Sequence, residues 1–298
     1  MTEIKTIKDI PEEDFLTGGH SACKGCPGTL GLKLALRVLG KNTIVVNASG
    51  CLTLLALYPH TPLRVPWIHN AIENAGATAT GIYRAYKRKK RDVNILCYDG
   101  DGATYDIGLQ SLSGACERMD KFVYICYNNE AYGNTGMQKS SASPYGARTS
   151  TTPPGKENPI GKTSQKKDME AIMAAHEGTY VATASLAFPV DYARKVQKAK
   201  EHDGPSFIDL QAPCPTGWAF DPSKTIEVAR AAVMTGVWPL FEIENGKTTL
   251  NVKLGKLKPV EEYLNMQTRF KHLSKKETEN IQESVNKKWE KLLKDSGE

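Results

Sequence analysis

Two stretches decide the fold of this 298-residue chain: Val93-Asn94-Ile95-Leu96-Cys97-Tyr98-Asp99-Gly100-Asp101-Gly102 and Phe122-Val123-Tyr124-Ile125-Cys126-Tyr127-Asn128-Asn129. Each opens on a short, mostly apolar run of strand length and closes on Gly, Asp or Asn. Residues of about 105–119 between them read as a helix. Strand, helix and strand in that order indicate a right-handed parallel βαβ unit. The two polar ends then stand at the carboxyl edge of neighbouring parallel strands, where open α/β sheets bind ligands.

The same alternation extends outward. A helix starts at Pro27, a favoured first-turn residue, and runs through Leu39 to Gly40. Thr43–Asn47 follows as a short buried strand, with Ser49-Gly50-Cys51 at its carboxyl end. Residues 71–90 read as a helix rich at first in small residues. Residues 129–165 are full of Gly, Ser, Thr, Pro and Asn; so long a stretch in a compact domain is functional or disordered. Helix 168–176, strand 179–183, helix 189–202, strand 206–211 and a helix over about 224–236 come next. A charged helix over 274–295 carries Ile281, Val285, Trp289 and Leu292 on one stripe, which reads as subunit packing. The expectation is an α/β fold with a doubly wound, mostly parallel sheet. It divides into an N-terminal arm (1–20), a ligand-binding α/β domain (21–238) and a C-terminal extension (239–298).

Composition narrows the class. Hydrophobic residues make up 40 % and charged residues 24 %, which excludes a disordered tail or a coiled coil. Nothing approaches 18 consecutive apolar residues, so no membrane span is expected. The first 15 residues are charged and lack an apolar core, so the expectation is a cytoplasmic protein without a secretory leader. Seven cysteines there point to metal or redox roles rather than disulfides. The net charge of +6 is mild. The basic run Lys87-Arg88-Lys89-Lys90-Arg91 has no recognition motif beside it, so nucleic acid is not an expected partner. That run reads as a solvated helix end.

The cysteines sort by position. Cys23-Lys24-Gly25-Cys26 is a close pair, Cys51 follows a strand, and Cys214 lies in Ala212-Pro213-Cys214-Pro215-Thr216-Gly217-Trp218. All four fall in loops or at element ends. Cys97, Cys116 and Cys126 fall inside regular elements and read as small core hydrophobes. Four thiolates can hold a [4Fe–4S] cluster or a structural zinc ion. One close pair and two singletons tilt towards a cluster; zinc and unligated thiols stay open on spacing alone.

Gly100-Asp101-Gly102 and Asn128-Asn129 have the chemistry of a metal–diphosphate site. Mg2+ takes hard oxygen ligands, typically one or two from protein with phosphate and water completing the shell. Asp101 offers a charged oxygen and Asn129 a neutral one. Gly100 and Gly102 remove Cβ atoms where backbone would approach phosphate. The helix after them offers free N–H groups to an anion.

Together these motifs resemble the 2-oxoacid:ferredoxin oxidoreductase family, specifically its β subunit. The stretches Gly100–Gly108, Asn128–Gln138 and Cys214–Trp218 are similar to the pyruvate branch of that family. The resemblance runs from about His20 to Trp218. It implies a sheet of the thiamine diphosphate-binding type. It implies that Cys23, Cys26, Cys51 and Cys214 ligate a [4Fe–4S] cluster. Asp101, the Asn129 side chain and the Ala131 carbonyl would hold Mg2+ on the diphosphate, with Gly100 and Gly102 beside it. Asn134 matches the family's asparagine that reaches substrate. The implied reaction is the reversible, CoA-dependent oxidative decarboxylation of pyruvate to acetyl-CoA and CO2, with ferredoxin as acceptor. Oxalate, a branched-chain 2-oxoacid or 2-oxoglutarate are the substrate alternatives. A zinc-stabilised protein binding some phosphate ligand is the alternative of another class. Neither Glu73 nor Glu130 matches the glutamate that the thiamine pyrimidine ring needs. Partner subunits of alpha, gamma and delta type are therefore expected to supply it, with the CoA site and further clusters. Docking acidic ferredoxin is a second reading of the basic run 87–91.

Overall fold

The structure is a computed structural model and describes residues 3–57 and 59–298. The strands are β1 Thr43–Ala48, β2 Trp67–Asn70, β3 Asn94–Gly100, β4 Phe122–Asn128, β5 Tyr180–Ser185, β6 Pro205–Gln211, β7 Phe241–Glu244 and β8 Lys247–Leu250. The helices are α1 Pro27–Leu39, α2 Ala75–Arg88, α3 Leu109–Glu117, α4 Met169–Ala174, α5 Pro189–Glu201, α6 Pro215–Trp218, α7 Thr225–Met234, α8 Glu261–Leu264 and α9 Lys275–Ser296. The strands form one eight-stranded sheet in the order β2-β1-β3-β4-β6-β5-β7-β8. β1 to β6 pair in parallel; β7 and β8 are antiparallel.

Helices cover both faces. Leu32, Ala35, Leu36 and Leu39 repeat at helical spacing on α1 and are fully or almost fully buried. They pack with Tyr192 and Val196 of α5 against Val45, Leu96, Ile125 and Ile208 of the sheet. The opposite face holds Ala79 of α2, Leu112 of α3 and Met173 of α4 against Cys97, Cys126 and Phe207. Cys97, Cys116 and Cys126 are buried core residues, as their positions predict. Truncating a buried leucine such as Leu36 to alanine costs about 2–5 kcal/mol. Among the described residues no helix is long and apolar enough to cross a membrane.

Several elements differ from the sequence reading. The arm is not solvated along its length: Ile4, Ile10 and Phe15 are buried in the first core cluster. β2 carries no signal in the sequence: it is a four-residue, partly exposed strand after Pro66 with no alternation to mark it. The helix expected at 105–119 splits into a π-helical turn, Gly102–Ile107, and α3. Residues 241–250 form a hairpin on the β5 edge, turning at Asn245 and Gly246 with φ of 51° and 74°. Asn-Gly with two positive φ values is the favoured two-residue hairpin turn, so this element was legible. A third cluster joins Val228 and Ala232 of α7, Tyr263 of α8 and Val285 of α9. The apolar stripe of α9 is turned to this chain's own core: Val285 and Ile281 pack in that cluster and Trp289 is buried.

The chain runs outward from β1 to β2, then returns on the other side of β1 as β3. That reversal is a topological switch point, and the crevice at the strand ends there is the expected ligand site.

Candidate cofactor and metal site

Strand register builds the site. Asp99 pairs with Cys126 and Gly100 with Tyr127, so the loops after β3 and β4 leave the sheet at one level. Ser49-Gly50-Cys51 leaves β1 beside them. A cleft of about 140 Å3 opens between these loops, lined by Ser49, Cys51, Gly102, Tyr127, Asn129 and Asn134, among others. The structure thus brings together the sequence-predicted Gly100, Gly102, Asn129, Ala131, Asn134 and Cys51 around one opening.

Asp101 stands in the chain between the lining residues Gly100 and Gly102 and is fully buried. Its Oδ1 accepts from the Asn129 backbone N–H at 3.2 Å, and its Oδ2 from Ser140 Oγ at 2.5 Å. Burial pushes its carboxyl up to about 7. The Asn129 amide nitrogen donates to Asp101 Oδ1 at 3.0 Å and to the Ala131 carbonyl oxygen at 2.7 Å. One carboxylate, one amide and one backbone carbonyl therefore converge. Either an amide nitrogen serves these oxygens, or the amide turns its oxygen in and a hard cation holds all three. That donor set fits Mg2+. A divalent cation also supplies the charge that a buried carboxylate lacks.

The glycines also serve neighbours within the chain. A Cβ on Gly102 would stand 2.4 Å from the Tyr132 ring, and one on Gly100 3.2 Å from the Tyr127 hydroxyl. Both positions first admit the protein's own tyrosines. Tyr132 is held there by its hydroxyl donating to the Gly102 carbonyl at 3.2 Å. The π-helical turn begins directly after Asp101, and Thr104 Oγ1 donates back to the Gly100 carbonyl at 2.8 Å. Such turns are rare and recur at functional sites.

Cys26, Cys51 and Cys214 stand at helix starts: Cys26 caps α1, Cys51 opens a 3-10 turn, and Cys214 caps α6. Gly217 N–H donates to Cys214 Sγ at 3.2 Å. Burial pushes the Cys51 thiol up to about 12, with Cys214, Cys26, Asp101 and Cys23 adding in the same direction. The four cysteines and Asp101 thus share one electrostatic neighbourhood. Cys23 is exposed; the other three are partly buried. Among the described residues, no group of three or more His, Cys, Asp or Glu side chains is arranged to hold a metal ion. The turn between Cys23 and Cys26 needs its glycine. Gly25 has φ of +68°, and a Cβ would stand 2.5 Å from the Pro222 carbonyl oxygen.

Several site residues carry no spacing signal in the sequence. Ser143 Oγ donates to the Glu130 carbonyl at 2.5 Å, so the 129–165 segment wraps the site with buried serines. Glu130, at φ of +59°, is ion-paired with Arg269 at 2.5 Å, both buried. The Arg269 guanidinium lies 3.6 Å from the centre of the Trp218 ring, and Trp218 Nε1 donates to the Asn129 carbonyl at 3.0 Å. The C-terminal extension therefore braces the Asn129 loop. A Cβ at Gly133 would stand 3.0 Å from the Asn129 amide and 3.1 Å from Cys51 Sγ, so the oxygen and sulfur groups meet at that glycine. His69 is on strand β2, and its Nε2 lies 2.9 Å from Ser49 Oγ at the cleft edge.

Residues 48–210 match the family model described as thiamine pyrophosphate enzyme, C-terminal TPP binding domain. The chain is 55 % identical over 278 residues to pyruvate synthase subunit PorB of Methanothermobacter thermautotrophicus, covering 93 % of this chain and 96 % of the relative. It is 46 % identical over 300 residues to ketoisovalerate oxidoreductase subunit VorB of Pyrococcus furiosus, covering 98 % and 96 %. A 2-oxoglutarate:ferredoxin oxidoreductase structure from Magnetococcus marinus shares the fold, with a TM-score of 0.58 at 21 % identity over 77 % of this chain and 84 % of that one.

Proposed function

The chain belongs to the thiamine-dependent 2-oxoacid:ferredoxin oxidoreductases as a β subunit, and from that premise we propose how its site performs pyruvate synthase chemistry. The overall reaction is CoA-dependent oxidative decarboxylation of pyruvate to acetyl-CoA and CO2, run in either direction, with ferredoxin as electron acceptor. Bound thiamine diphosphate supplies the electron sink that lets a 2-oxoacid lose CO2.

The chain's own residues divide the remaining work. The Gly100–Gly102 loop and the free N–H groups of the turn after it receive the diphosphate. Asp101, the Asn129 side chain and the Ala131 carbonyl hold Mg2+. Cys23, Cys26, Cys51 and Cys214 hold a [4Fe–4S] cluster. Asn134, exposed at the cleft mouth, orients the substrate carboxylate by hydrogen bonding. The observation that carries this reading is the convergence of the Asp101 carboxylate, the Asn129 amide and the Ala131 carbonyl, one glycine away from Cys51.

The cleft is smaller than the roughly 300–1,000 Å3 of a pocket that encloses a drug-sized ligand. That supports a cofactor shared with a partner subunit. Glu130 is committed to Arg269, which supports a pyrimidine-side glutamate on another chain. Partner subunits also bring the CoA site and further clusters. Residues 21–238 act as the cofactor-binding domain, 1–20 as an arm and 239–298 as an extension bracing the site. The complex works in the cytoplasm.

Substrate choice is the open contest, because the pyruvate and ketoisovalerate relatives both match along the chain. The test is the anaerobic activity of the purified complex on a panel of 2-oxoacids with CoA. Pyruvate is expected to give the highest kcat/KM. A higher value for 3-methyl-2-oxobutanoate, 2-oxoglutarate or oxalate overturns the pyruvate assignment.

A further inference from the structure

Tyr127 ends between the cysteine loops and the Asp101 loop. Three glycines pack around it, each next to a proposed ligand. A Cβ on Gly28, two residues after Cys26, would meet its ring at 3.4 Å. One on Gly50, beside Cys51, would stand 2.8 Å from its hydroxyl, and one on Gly100, beside Asp101, 3.2 Å. The ring is stacked on Tyr98 with centroids 5.4 Å apart. Tyr98 is itself anchored, its hydroxyl donating to the Gly28 carbonyl at 2.7 Å. The phenol is therefore fixed in place at the meeting of all three loops.

Its hydroxyl is the anomaly. Tyr127 is 3 % exposed, and its hydroxyl finds no acceptor among the described residues. A buried hydroxyl whose proton meets no acceptor is unfavourable. The nearest of the three glycine positions is Gly50, 2.8 Å from the hydroxyl, and Cys51 follows it directly in the chain. The Leu52 backbone N–H on the same side is a donor, so it cannot accept the phenol proton. What the hydroxyl lacks is an acceptor, and the chemistry at hand on that side is sulfur.

We propose that the Tyr127 hydroxyl donates a hydrogen bond to the sulfur of the cluster that Cys51 helps to hold, and thereby raises that cluster's reduction potential. The inference rests on the cysteine assignment made under the proposed function. A donor to a cluster sulfur stabilises the extra negative charge of the reduced state, and such bonds are among the factors that set cluster potentials. Tyr127 is thus a positioning residue acting through the cluster rather than on substrate.

The test is a redox titration of the anaerobically purified complex, followed by electron paramagnetic resonance. Tyr127→Phe should keep its iron and move the midpoint of this one cluster to lower potential. A shift of about 59 mV would mean a tenfold lower reduced-to-oxidised ratio at fixed potential for a one-electron couple. The partner subunits' clusters should not move. Site-specific 3-fluorotyrosine at 127, nearly isosteric and a stronger donor, should move the midpoint upward; it also serves if Tyr127→Phe does not fold. A full cluster whose potential ignores the substitutions overturns the tyrosine's role alone. Wild-type complex without iron on these four cysteines overturns the cluster assignment itself, and the proposal with it.

Discussion

The Asp101 pocket and the cysteine loops touch at Gly133, yet they are built in different ways. The oxygen groups are held by the protein. Asp101 is fully buried and takes hydrogen bonds from Ser140 and the Asn129 backbone. The Asn129 loop is pinned from behind by Trp218, Glu130 and Arg269. The sulfur groups are held by short turns at helix starts, and Cys23 is exposed. The oxygen groups are shaped by the fold itself. On the proposed reading, the sulfur groups would take their final geometry from the metal, as metal sites coupled to local folding do.

Substitutions that separate the two sites press hardest on this contrast. Asp101→Ala should abolish retention of thiamine diphosphate and activity while leaving iron in place. Cys51→Ala should do the reverse, losing iron and activity but retaining thiamine. Assays of thiamine and iron on both variants decide this; loss of both cofactors in either variant would merge the two sites into one. Arg269→Met should come next. It leaves Glu130 buried without its partner, at a cost of about 3–5 kcal/mol, measurable by denaturant unfolding. The double variant Arg269→Met with Glu130→Gln should recover part of that loss.

Smaller effects sharpen the same picture. Ser140→Ala removes a partner of Asp101 rather than a ligand. It should weaken Mg2+–thiamine diphosphate binding about 10- to 100-fold in a titration, with iron unchanged. Thr225→Val removes the hydroxyl that donates to the Gly25 carbonyl at 2.9 Å. It should cost about 0.5–1.5 kcal/mol and hasten iron loss to a chelator, with thiamine binding unaffected. Equal rates of iron loss in wild type and variant would show that the cysteine turn does not depend on this bond.

Much of this was legible in the sequence where residue type and periodicity agree. The strands ending at Gly100 and Asn128, the helix from Pro27 to Gly40, and the split between loop and core cysteines all follow from local pattern. β2 was not legible, because four partly exposed residues carry little periodicity. The hairpin at 241–250 was legible through Asn245-Gly246 but was read only as part of an extension. The brace was out of reach for another reason. Arg269 and Glu130 are 139 residues apart, and no spacing rule links them. Ser140 was hidden inside a polar segment whose composition resembles that of a solvated loop. The tyrosine rings that pack against Gly100 and Gly102 were out of reach as well, since no local pattern in the sequence announces them.

The central claim is that this chain carries an iron–sulfur cluster beside its thiamine site. It is tested most directly by iron analysis of the anaerobically purified complex, with and without Cys214→Ala. The account predicts a loss of about four irons per copy of this chain, the content of one [4Fe–4S] cluster, with thiamine diphosphate retained. Unchanged iron content, or stoichiometric zinc released by the substitution in place of iron, would contradict it.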